Sequence, residues 1–157
     1  MTQRPPMERD VNALREVLHN ALVRYLTVKP RGLELRRGSP LRRSVDARIL
    51  GFGGARTLYR QRKPTCRSLD GVRPITGDRN RRCTGCPDHG NCTPQVRVDL
   101  IVDSNAFRLL LAHTSAKAFL AYEGELRQRQ VAVEHVLTKI TVADRGRWGE
   151  LRFSALD

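Results

Sequence analysis

Four cysteines carry the sharpest chemical signal in this chain of 157 residues: Cys66, Cys83, Cys86 and Cys92. Cys83-Thr84-Gly85-Cys86 is a knuckle, a tight turn from which two thiolates can reach one ion. Five residues separate Cys86 from Cys92, and sixteen separate Cys66 from Cys83. Four thiolates in a tetrahedron suit zinc, and a closed site of that kind contributes folding energy to a segment without a core of its own. The segment 64–94 is such a segment, with Pro, Gly, Asp and Asn throughout and almost no apolar periodicity. Cys66, Cys83, Cys86 and Cys92 are therefore the expected metal ligands. Arg79, Arg81 and Arg82 beside Cys83 would offset the negative charge of the site and help keep the thiols ionised. His89 lies between Cys86 and Cys92, but four cysteines already complete a ligand set, which leaves it a loop residue.

In a secreted chain the same cysteines would read as two disulfides. The first residues, MTQRPPMERD, lack the basic-then-apolar layout of an export signal, and no apolar run is long enough to span a membrane. The expectation is an intracellular, cytoplasmic protein with reduced thiols. No Ser/His/Asp arrangement, phosphate-binding glycine loop or paired carboxylate motif stands out. His19, His113 and His135 are scattered, and 51–54 lacks the helix and lysine that a phosphate loop needs. A non-enzymatic role is expected.

Charge points to a partner. The chain holds 29 Lys and Arg against 16 Asp and Glu. Residues 1–28 carry 4 positive and 3 negative charges, 29–82 carry 16 and 4, and 83–157 carry 9 and 9. Nearly all the excess sits in one third of the chain, the footprint of a polyanion-binding surface. A bias toward arginine codons explains arginine over lysine, but not this localisation. Arg48, Arg56, Arg60, Arg62, Lys63, Arg67, Arg73, Arg81 and Arg82 are the residues expected to track phosphates, and Phe52, Tyr59 and Trp148 could stack bases where their rings are exposed. The competing reading for each ring is core packing.

The elements that must position these groups are legible in part. Val11, Leu14, Leu18, Leu22 and Tyr25 at helical intervals predict an amphipathic N-terminal helix over 7–26, within an N-terminal unit 1–28, closed by Lys29-Pro30-Arg31-Gly32. A basic loop or arm covers 29–46, with a short strand at 33–35. A glycine-interrupted strand runs over 47–61 and precedes the cysteine insertion. Val96, Val98, Leu100 and Val102 alternate with polar residues over 95–103, predicting a half-buried strand, and a second follows at 107–112. Ser115 is the expected N-cap of a helix over 116–130. Strands over 133–142 and 148–155 flank a turn at Asp144-Arg145-Gly146.

Five strands with a helix between the third and fourth is the order of an OB-fold. The expected fold is α+β and mostly β. It is an OB-like five-stranded barrel over 47–157, with a four-cysteine zinc insertion at 64–94 between strands 1 and 2.

Three resemblances bear on this. Lys63-Pro64-Thr65-Cys66-Arg67-Ser68-Leu69-Asp70-Gly71, then Cys83-Thr84-Gly85-Cys86-Pro87, Cys92 and Thr114-Ser115, resemble small zinc-knuckle proteins of phages and mobile elements that are regarded as similar to single-strand DNA-binding proteins. That likeness spans 56–125 and implies a single-stranded nucleic acid, DNA or RNA, as partner. In architecture alone, the insertion resembles the zinc-containing OB domain of the eukaryotic replication protein A large subunit. The knuckle followed by Pro87 also resembles the cluster-binding pattern of WhiB-like iron-sulfur transcriptional regulators, which implies a 4Fe-4S cluster as the alternative to zinc. A further alternative makes the chain a small zinc-containing subunit of a nucleoprotein assembly, a CRISPR effector or replication complex. In that case the N-terminal helix would dock on a protein partner.

Overall fold

A computed structural model describes residues 23–75 and 82–156. The most regular part of the sequence gives the most regular structure. Thr93–Val102 (β6) and Asn105–Leu111 (β7) form an antiparallel hairpin. Leu137–Asp144 (β8) and Gly149–Ala155 (β9) form another. Between the hairpins runs a single helix, His113–Gln128 (α1). Its buried residues Ser115, Phe119, Tyr122 and Leu126 recur at helical spacing and lie against one face of the sheet. Phe119 is fully buried, meeting Phe52 and Phe153 edge to face with ring centroids 5.3 Å apart in both pairs. Tyr122 donates to or accepts from Thr138 Oγ1 at 2.8 Å, and burial pushes its phenol above the usual range. The N-cap is Ala112 rather than Ser115. The Ser115 hydroxyl instead accepts a hydrogen bond from the Leu151 amide at 3.1 Å, fastening the first turn to β9.

Ser44–Arg60 (β4) organises everything else. One of its edges pairs with β6 along 48–57. The other pairs first with β8, over 44–48, and then with Lys63–Ser68 (β5), over 56–60. Between Ile49 and Gly51 the register against β6 skips Leu50. This bulge exchanges the two faces of the strand. Val45, Ala47 and Ile49 face the core before it, whereas after it Phe52 does, and Ala55 and Thr57 are buried on the opposite side.

Three short strands precede β4: Arg24–Tyr25 (β1), Thr27–Lys29 (β2) and Gly32–Glu34 (β3). β1 pairs in parallel with β7, and β2 and β3 form a small separate hairpin. Leu33 drops from that hairpin into the main core with no exposed surface, so the short strand expected at 33–35 is seen one residue earlier. Gly149 lets the hairpin approach, because a Cβ there would collide with the Lys29 carbonyl and stand 2.7 Å from Val142 Cγ1. The helix expected over 7–26 lies outside the described residues up to residue 22, and Arg24–Tyr25 at its end are strand.

The expected barrel does not form. The five strands and the helix between the third and fourth are present as β4, β6, β7, α1, β8 and β9, but the sheet is open, in the order β1-β7-β6-β4-β8-β9, with β5 attached to β4. Closure would require the terminal strands of this path to pair with each other, and β1 and β9 do not. β4 has its second edge divided between β8 and β5, so the sheet also branches there. The result is an α+β arrangement with one helix packed on one face of a largely antiparallel sheet. Among the described residues no helix is long and apolar enough to cross a membrane.

Candidate functional site

The four cysteines are reached from both sides of β4. Cys66 stands on β5 opposite Leu58, and Cys92 immediately precedes Thr93, which pairs with the neighbouring Thr57. The pairing thus brings Cys66 and Cys92 to opposite flanks of Leu58, separated in sequence but not in space. Cys83–Gly85 and His89–Asn91 are single tight turns between them. A ladder of backbone bonds at three-residue steps links the cysteines: Cys86 N–H donates to Cys83 O at 3.1 Å, His89 N–H to Cys86 O at 3.1 Å, and Cys92 N–H to His89 O at 3.3 Å.

The four thiols are free and half-buried. Burial pushes the Cys92 thiol up, the charges of Cys66, Cys86 and Cys83 push it further, and Arg56 opposes them. All three other thiols therefore lie close enough to Cys92 to be felt electrostatically. They are nonetheless not drawn into a ligand cage: among the described residues, no group of three or more His, Cys, Asp or Glu side chains is disposed to hold a metal ion. The donor set, four unpaired thiols supplied by β5 and by the two turns, has the chemistry of a zinc site. A metal would have to close it.

Polar ties anchor this region. Asp70 accepts from Val72 N–H at 2.7 Å, Arg73 N–H at 2.9 Å and Ser68 Oγ at 3.0 Å. The Arg73 and Val72 amides hold its carboxyl below the usual range. Cys83 N–H donates to Val72 O at 2.7 Å, Ile75 N–H donates to Arg67 O at 2.9 Å, and the Arg60 guanidinium meets the Asp88 carboxylate at 3.2 Å. Arg97 Nη1 donates to Leu69 O across β4. The Asp70 bonds order the chain just after β5, and the others join the hairpin or that chain to the cysteine turns or the sheet.

The hairpin they anchor ends in charge. Gln61 and Arg62 both have positive φ, 51° and 64°, the two-residue turn that glycine and asparagine normally fill. Arg60, Arg62 and Lys63 are exposed around it, and Tyr59 next to them keeps 43% of its surface exposed. Arg73 and Arg82 are exposed on the adjoining segments. Among the described residues Arg62, Lys63, Arg73 and Arg82 have no ion-pair partner.

The remaining residues singled out by sequence do not join this surface. Phe52 is packed on Phe119. Arg48 and Arg56 are half-buried on β4, and Arg67 is half-buried with its guanidinium 5.0 Å from the centroid of the Tyr25 ring. Trp148 is 45% exposed in the β8–β9 turn, on a recess of about 440 Å³ whose lining includes Val28, His113 and Gly149 but no arginine. Arg81 lies outside the described residues. Sequence reasoning missed a second basic surface, formed by Arg24, Tyr25, Arg36 and Arg37. The dipeptide Arg36-Arg37 before Gly38-Ser39 was the available signal, since a glycine in that position marks a turn.

Comparison with protein-family models, curated proteins and solved structures finds no match to this chain.

Proposed function

We propose that this is a non-enzymatic nucleic-acid-binding protein that holds a single strand, DNA or RNA, along the β4–β5 hairpin, with zinc held by Cys66, Cys83, Cys86 and Cys92 in a structural role. The observation that carries the reading is the hairpin tip, where Arg62 and Lys63, exposed and without ion-pair partners among the described residues, follow closely on a partly exposed Tyr59. Cations without carboxylate partners collect phosphates and release their counterions, and an exposed ring offers a stacking surface indifferent to base identity. The turn is short and tied at its base by Arg60–Asp88, so little freedom is lost when a strand settles on it. Zinc, when bound, would cross-link the turns beneath the hairpin and take no part in recognition. The four free thiols support this, as does the lack of a hydrophobic core in the cysteine turns, which bury no residue.

The test is fluorescence anisotropy of a labelled single-stranded oligonucleotide, with duplex and RNA competitors, over a salt series. The expected result is single-strand preference that partly survives high salt. The Arg62→Ala/Lys63→Ala variant should lower the slope of log K against log salt by about 1.4, since each phosphate no longer neutralised accounts for about 0.7. Binding that vanishes with salt and ignores strandedness would reduce the surface to a general polycation. Metal analysis of the purified chain, together with its visible absorption, decides between zinc and an iron-sulfur cluster.

A further inference from the structure

A second basic surface lies at the other end of β5. Lys63 and Arg67 delimit a run of about 13 Å at 3.3 Å per residue, leading from the hairpin tip to Tyr25. The Arg67 guanidinium sits 5.0 Å from the centroid of that ring, which keeps 40% of its surface exposed. Beside the ring opens a groove of about 520 Å³ lined by Arg24, Tyr25, Thr27 and 34–37.

Its arginines are presented by a defined turn. Ser39 N–H donates to Arg36 O at 2.9 Å, Arg36 N–H donates to Ser39 Oγ at 3.2 Å, and Gly38 has φ of 80°. That is a type II turn, with glycine at the position requiring positive φ, and it projects Arg36 and Arg37 consecutively from a fixed backbone. Glu34 is the one carboxylate in the lining, and it accepts from Gly38 N–H at 3.4 Å. Three guanidiniums outnumber it. Among the described residues none of Arg24, Arg36 and Arg37 forms an ion pair.

We infer that this groove is a second contact for the same single strand, in which a base stacks on Tyr25 and the adjoining phosphates meet Arg24, Arg36 and Arg37. Arg67 is the positioning residue: it holds the ring from within the sheet and joins the groove to the tip. The inference rests on the nucleic-acid reading and extends the bound segment along β5. A duplex presents its bases stacked on one another, so only a single strand can use the ring.

The test uses the full chain and a labelled single-stranded oligodeoxynucleotide, with the tip variant above run in parallel. Tyr25→Leu should weaken single-strand binding roughly 5- to 150-fold while leaving duplex binding and the salt slope unchanged. Tyr25→Phe should bind as wild type, which separates stacking from misfolding. Arg36→Ala/Arg37→Ala should lower the salt slope by about 1.4. Trp148→Leu, at an exposed ring outside the groove, should change nothing. If the wild type binds and the tip variant weakens it, but the Tyr25→Leu and Arg36→Ala/Arg37→Ala variants bind as wild type, the groove takes no part in binding and the tip reading stands. Absence of single-strand preference in the wild type would overturn both.

Discussion

The two parts of this molecule joined at β4 are stabilised by different means. On one side, β8, β9 and α1 bury Phe119, Ile140, Val142 and Leu151 almost completely. On the other, 60–75 and 82–92 are held by the β4–β5 ladder, an Asx turn, an ion pair and backbone bonds between turns, and the cysteine turns bury no residue. Burial is cooperative across a sheet, whereas polar ties act locally. The first part should therefore set global stability and the second should open by itself.

Three changes probe that contrast. Phe119→Ala removes the ring shared by Phe52 and Phe153 and should cost about 3–5 kcal/mol, lowering the denaturant midpoint of every probe together. A loss confined to the helix would show that the sheet does not depend on it. Cys86→Ser should leave that midpoint within about 1 kcal/mol of wild type, yet strip amide protection from 64–75 and 82–92 and reduce bound metal. Unchanged exchange there would end the account of the thiols as a structural clamp.

The smallest effect is expected at Asp70. Its folded-state carboxyl titrates below the ordinary range, so its contribution is present above that range and is lost as pH falls through the lower folded value. The group is exposed and screened, and Asp70→Ala should cost no more than about 1 kcal/mol. The Val72 and Arg73 amide shifts should follow this titration in the wild type and stay flat in the variant. Equal pH dependence in both would remove Asp70 as the clasp of the loop.

The same contrast explains what was legible in the sequence. Val96, Val98, Leu100 and Val102 announce their strand because alternation is local, and Phe119, Tyr122 and Leu126 announce their helix for the same reason. Sheet closure is a relation between strands far apart in the chain, and nothing in the local pattern showed that β4 would be shared between β8 and β5. Tyr25 shares helical spacing with Leu18 and Leu22 in sequence, and only its pairing with Arg108 shows it as strand. The cysteine spacing was readable because it belongs to one segment. The Tyr25 groove was not, because it draws on 24–25, 34–37 and 67, which meet only after folding.

The divided edge of β4 also sets an order of events during synthesis. Arg48 pairs with Leu137, about 90 residues further along the chain, so at roughly 5–20 residues per second the first half of the strand waits several seconds for its neighbour. Throughout that interval it displays an unpaired edge beside Val45, Ala47 and Ile49, an invitation to another nascent chain. Arg42, Arg43, Asp46 and Arg48 flank or interrupt this stretch. In the finished protein Arg42, Arg43 and Asp46 are exposed and Arg48 is half-buried. On the ribosome, charges so placed oppose the wrong pairing of a waiting strand.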